Sequence, residues 1–117
     1  MSRCILSSGV ISESQLRQIA SNAEREESGG YSHPLHVYNS NSGREPILVG
    51  RVRNVHVESD VDIFSGTPHL SLCADFVISD PETIRDLLGS MYAISPEVSD
   101  LNANPRLQSV ALCPCPG

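Results

Sequence analysis

The sequence predicts an α+β fold, an antiparallel β-sheet of four to five strands with two amphipathic helices packed on one face. Three observations predict it. Two segments repeat apolar residues at helical spacing, each behind a start signal. The other segments are β-prone and bounded by turn residues. The order of the two kinds is β-α-β-β-(β)-α-β, and a helix with one narrow apolar stripe needs the apolar face of a sheet to cover it.

The elements follow in order. Residues 3–8 are a short β-prone stretch closed by Gly9. Ser12 then offers a capping hydroxyl and Gln15 the reciprocal bond, and Leu16, Ile19, Ala20 and Ala23 form one stripe. The helix runs from about Glu13 to Glu27 and stops at Gly29-Gly30. A strand from Leu35 to Asn39, the turn Ser40–Gly43 and a longer strand from Ile47 to Glu58 make a hairpin, with Gly50 a bulge or bend. Ser59-Asp60 interrupts the pattern and Val61–Phe64 resumes it. In the next strand Leu70, Leu72, Ala74, Phe76 and Ile78 face one way, and His69, Ser71, Cys73, Asp75 and Val77 the other. Asp80-Pro81 opens a second helix carrying Ile84, Leu87, Leu88 and Met91, expected to reach about Tyr92. Residues 93–105, with Pro96 and Pro105, read as a long loop. Arg106–Leu112 is a last strand, and Cys113-Pro-Cys-Pro-Gly a tail.

This order resembles a ferredoxin-like sandwich carrying an added strand. The chain reads as one domain over residues 1–112 and a short Cys/Pro tail over 113–117. With no Trp and two Phe, the core must rest on aliphatic residues, with Phe64 and Phe76 its largest members.

Charge narrows the partners. The net charge is −6, there is no Lys, and the eight Arg are scattered. Nucleic-acid backbones and anionic membranes are held by clustered cations, so neither is an expected partner. No signal-peptide core or apolar membrane span occurs, and Cys4, Cys73, Cys113 and Cys115 are unevenly placed for a disulfide framework. The expectation is a soluble, acidic, cytoplasmic protein with reduced thiols.

Candidate chemistry gathers on the polar sheet face. His36 and Tyr38, then Asn54, His56 and Glu58, then His69, Ser71, Cys73 and Asp75 each recur at period two. A neutral imidazole oriented by a carboxylate takes a proton near neutral pH, which makes His56, His69, Cys73 and Asp75 the catalytic candidates. His36, Tyr38, Arg51 and Arg53 are the ligand-binding candidates, the arginines as a grip on an anion. The bland reading of all of them is the solvated face of a sheet. An alternative zinc set is His33, His36, Cys113 and Cys115, although the spacing suits zinc poorly and no metal or cofactor is expected. No P-loop, nucleophile elbow or metalloprotease motif is present. The expected function is therefore a binding or interaction protein that self-associates through its sheet as a homodimer. A small enzyme or anionic-ligand domain with a His/Tyr/Asp/Cys-lined pocket is the alternative.

Overall fold

The computed structural model describes residues 2–38 and 46–114. Both helix starts form as their residues dictate. In α1 (Glu13–Ser28) the Ser12 hydroxyl accepts the Gln15 N–H at 3.2 Å, and the Gln15 side chain accepts the Ser12 N–H at 2.9 Å. In α2 (Pro81–Leu88) the Asp80 carboxylate accepts both the N–H and the hydroxyl of Thr83. Each cap satisfies a donor that the first helical turn leaves unpaired.

The sheet corrects the predicted class. Among the described residues six strands form one mixed sheet: β1 (Ser2–Ser7), β2 (His33–Val37), β3 (Ile47–Val61), β4 (Pro68–Ile78), β5 (Tyr92–Ser99) and β6 (Arg106–Pro114). Their spatial order is β1-β4-β3-β2-β6-β5, with β2 and β6 parallel and the other neighbours antiparallel. A four- to five-strand antiparallel, ferredoxin-like sheet is therefore overturned. The end strands β1 and β5 come into contact, so the sheet nearly closes into a barrel.

Three local differences account for the change. The expected loop over 93–105 contains β5, in which Tyr92, Ile94, Pro96 and Val98 are half-buried and alternate with exposed Ala93, Ser95 and Glu97. Pro96 is tolerated there because an edge strand has one side without a ladder to feed. Second, β3 continues unbroken through Ser59-Asp60 to Val61, since its partner β4 supplies a matching ladder as far as Pro68. Third, α2 stops at Gly89 rather than Tyr92. Ser90 takes a positive φ of 60°, which turns the chain into β5 and leaves Met91 exposed. The last strand also extends into the expected tail, with Pro114 opposite Tyr92. The turn Ser40–Gly43, Asn39 and Cys115 lie outside the described residues.

The core sits between α1 and the concave face of the sheet. Leu16, Ile19 and Ala23 are buried against β3, β6 and β4. Leu35, Val52, Leu72, Ala74, Phe76, Val110 and Leu112 supply the sheet side. Phe76 is a core residue as expected; Phe64 is not, being 94% exposed at the β3–β4 turn. Gly50 is required by close approach, because a Cβ there would run into the Val77 carbonyl. Beside it β3 bulges opposite Leu35 and His36. α2 packs lightly, chiefly on β4, through Leu87.

Leu72 is wholly buried, so Leu72→Ala removes packing that the sheet and α1 share. It is expected to cost about 2–5 kcal/mol in urea unfolding. Leu88→Ala, at an exposed site on α2, is expected to change stability by less than about 0.5 kcal/mol.

Candidate functional site

The polar face of the sheet owes its composition to a bulge. On β3, Arg53 pairs with Asp75 and His56 with Cys73, so three steps on β3 match two on β4. The extra residue is taken up at Asn54, whose φ of 56° lies in the left-handed region that Asn tolerates better than most side chains. Strict alternation would have sent His56 to the same side as Val52. The bulge instead buries both Val52 and Val55 and returns His56 and Glu58 to the outer face beside Cys73. Asn54 itself donates to Asp75 Oδ2 at 3.1 Å.

On that face β1 brings Cys4 directly opposite Cys73, with Cα atoms 3.9 Å apart, and the two sulfurs form a disulfide. This corrects the expectation of four unpaired thiols: the two cysteines are 69 residues apart, and only the β1–β4 register joins them. Glu58 Oε2 lies 3.9 Å from Cys4 Sγ. His56 stands beside Glu58, its Nε2 3.5 Å from Oε1, while Nδ1 lies 2.6 Å from the Asn54 carbonyl oxygen. The bond to that carbonyl favours the protonated imidazole most and Glu58 adds to it, so His56 titrates above its ordinary value despite partial burial. Cys4 is exposed and Cys73 fully buried. Sequence reasoning named His56, Glu58 and Cys73 but missed Cys4, for which β1 carries no signal beyond its β-propensity.

The remaining candidates are dispersed. His69 pairs with Asp60, four residues along β4 from Cys73, which at strand rise is about 13 Å. It borders a shallow hollow of ≈ 230 Å³ with Asp60 and Asp62. Asp75 and Arg53 line a larger open hollow of ≈ 480 Å³ with Glu27, Tyr31 and Asn54. Two carboxylates beside one guanidinium make it a poor anion grip. Arg51 donates to the Ser32 carbonyl and hydroxyl at 3.5 and 3.4 Å. His36 and Tyr38 lie on β2 and its end, away from β4; the Tyr38 hydroxyl donates to Glu97 at 3.1 Å. That hydrogen bond to a carboxylate, with the Glu97 charge, raises the phenol's pKa.

The alternative zinc set is also divided. His33, Leu35 and Val37 alternate toward the core, so His36, three residues from His33, points to the opposite face. Cys113, on β6, lies opposite Ala93 of β5 and is a free thiol.

A different surface, unforeseen in the sequence, stands out at the β3–β4 turn. Ile63 is 89% exposed and Phe64 94% exposed. The turn that carries them is ordered: Asp62 accepts the Phe64 N–H at 2.8 Å, Gly66 N–H bonds to the Asp62 carbonyl at 2.7 Å, and Asp62 N–H bonds to Thr67 O at 3.0 Å. The Phe64 N–H also holds the Asp62 carboxyl below its usual range. Comparison of the chain with family models, with curated proteins and with solved structures finds no significant match.

Inside the fold, His33 is completely buried beside Glu26, with Nε2 3.9 Å from Oε2, and Arg106 lies 3.3 Å from the same carboxylate oxygen. Burial depresses the His33 pKa below its ordinary 6.5, more than Glu26 and Glu27 restore; Arg106 lowers it further. As pH falls through about 6.5, the unfolded chain takes up this proton before the folded one, so the contribution of His33 to stability declines with acidification. His56, shifted the other way, acts with the opposite sign. In urea titrations at about pH 7.5 and about pH 5.5, His33→Phe is expected to lose less stability on acidification than the parent. Equal losses in the two proteins would contradict the assignment.

Proposed function

We propose that the chain is a small binding module that self-associates through the tip of its β3–β4 hairpin. The observation that carries this reading is the pair Ile63 and Phe64, almost wholly exposed on a turn whose backbone is fixed by Asp62. An ordered apolar tip loses little freedom when it binds, which favours association over an equally apolar but loose loop. Two tips meeting about a two-fold axis would cover four such side chains. Their burial is worth about 6–12 kcal/mol in gross terms. Association costs about 4–15 kcal/mol. The contact is thus a reversible one, helped by half-exposed Val61.

The edges of the sheet support association less. β5 carries Pro96, and β1 and β5 approach each other. A small-molecule or catalytic site on the polar face is also supported less, because His36, Tyr38, His69 and the cysteine pair lie apart on the sheet. In this reading the protein works in the cytoplasm, where the Cys4–Cys73 pair would be held largely reduced.

Sedimentation velocity across a concentration series tests the proposal. The parent is expected to show a concentration-dependent dimer. Ile63→Ser combined with Phe64→Ser is expected to weaken it by about tenfold or more. Asp60 and Asp62 flank the tip, so added salt is expected to favour the dimer by screening their repulsion. A parent that remains monomeric at every concentration overturns the proposal.

A further inference from the structure

The outer-face cluster of β1, β3 and β4 has a use that the disulfide conceals. Cys4 Sγ, Cys73 Sγ and a Glu58 carboxylate oxygen all lie within 4.8 Å of one another. We propose that reduction of the Cys4–Cys73 bond converts this cluster into a binding site for one Zn²⁺, held by both thiolates and the Glu58 carboxylate.

The geometry suits that ion. At tetrahedral zinc, with Zn–S near 2.3 Å and Zn–O near 2.0 Å, two thiolates stand about 3.8 Å apart and a thiolate and a carboxylate oxygen about 3.5 Å apart. Glu58 Oε2 is already 3.9 Å from Cys4 Sγ, and Cys4 and Cys73 are direct cross-strand partners. Both spacings lie within the 4.8 Å over which the three ligand atoms already group. Two soft sulfurs with one carboxylate suit zinc better than calcium or magnesium, which prefer all-oxygen shells. His56 adds a donor beside the carboxylate. With Nδ1–H bonded to the Asn54 carbonyl, its neutral form keeps the lone pair on Nε2, 3.5 Å from Glu58.

The chemistry balances with an external dithiol as reductant. Its thiolate attacks the exposed Cys4 sulfur, and Cys73 leaves as a thiolate and takes up a proton. The second thiol of the reductant then displaces Cys4, and the reductant departs as its own disulfide. Zn²⁺ binding replaces the two thiol protons, which pass to solvent. Reoxidation consumes both ligands, so the metal is released whenever the disulfide re-forms.

The test uses the full chain, reduced with dithiothreitol, freed of reductant without air, and titrated with Co²⁺ and then Zn²⁺. The reduced protein is expected to bind one ion per chain and to show the near-ultraviolet thiolate-to-cobalt band, which Zn²⁺ abolishes. The oxidised protein is expected to show neither. Cys4→Ser, at an exposed position, and Glu58→Gln are each expected to weaken Zn²⁺ binding by about tenfold or more, with unchanged circular dichroism. Cys113→Ser with Cys115→Ser is expected to leave it intact. No thiolate band in the reduced parent overturns the proposal. So does a band that survives Cys4→Ser but is lost when Cys113 and Cys115 are replaced.

Discussion

The structure depends on burial of one narrow stripe, Leu16, Ile19 and Ala23, inside the curve of the sheet. The chain leaves β1 at one end of the sheet and re-enters at β2, three places along, so α1 must cross the concave face between them. It does so over β4, β3 and β6. A stripe that ends in a small residue lets the sheet close in on the helix, and the sheet curls until β1 and β5 touch. The aliphatic side chains of β2, β4 and β6 then enclose the stripe, with Phe76 buried among them and Tyr92 packed against the cluster.

Such curvature needs interruptions in the ladder, and the strands supply them. Pairing shifts between Cys4 and Leu6, Leu35 and His36, Arg53 and His56, and Glu97 and Val98. A bulge bends its strand and strengthens the local twist, which is how a sheet closes around a single helix. It also reverses the face assigned to every residue beyond it. That reversal places Val52 and Val55 together in the core and brings His56 and Glu58 to the side of Cys73. The packing of α1 and the chemistry of the outer face are thus set by one backbone feature at Asn54.

The same features explain what the residues revealed. Helix starts are local, so Ser12 with Gln15 and Asp80 with Pro81 were legible, as was the inward face of Leu70, Leu72, Ala74 and Phe76. Strand pairing is not local. Nothing in the order of residues indicates that β6 runs parallel to β2, or that β1 joins β4 rather than a nearer strand. Pro96 concealed β5, although Tyr92, Ile94 and Val98 keep a period of two around it. Phe64 looked like core because it is large and aromatic. Its neighbours Asp62, Ser65 and Gly66 are the turn residues that carry it into solvent. For the cluster, Cys73 meets His56 and Glu58 only through the bulge at Asn54, although the last two could be placed together from period two. Cys4 could not, because its membership depends on register.

The position of Cys4 and Cys73 on the hairpin ties these features together. β1 lines β4 only from Asp75 to Ser71, with a last bond from Ser8 N–H to the Leu70 carbonyl. Beyond that point β3 and β4 continue as a two-stranded ribbon, with residues 59–69 exposed throughout. The cysteine pair therefore sits at the root of a projection whose far end carries Ile63 and Phe64. With the disulfide intact, the edge strand is covalently fixed to that root. With it reduced, the backbone ladder and the nearby side chains hold β1 there. The charges near this root favour a cation over an anion: Arg53 stands opposite Asp75, and Glu58 shares the cluster with two sulfurs. A cation bridging β1, β3 and β4 would restore the cross-strand tie that reduction removes, so either state of the pair can hold the root of the ribbon.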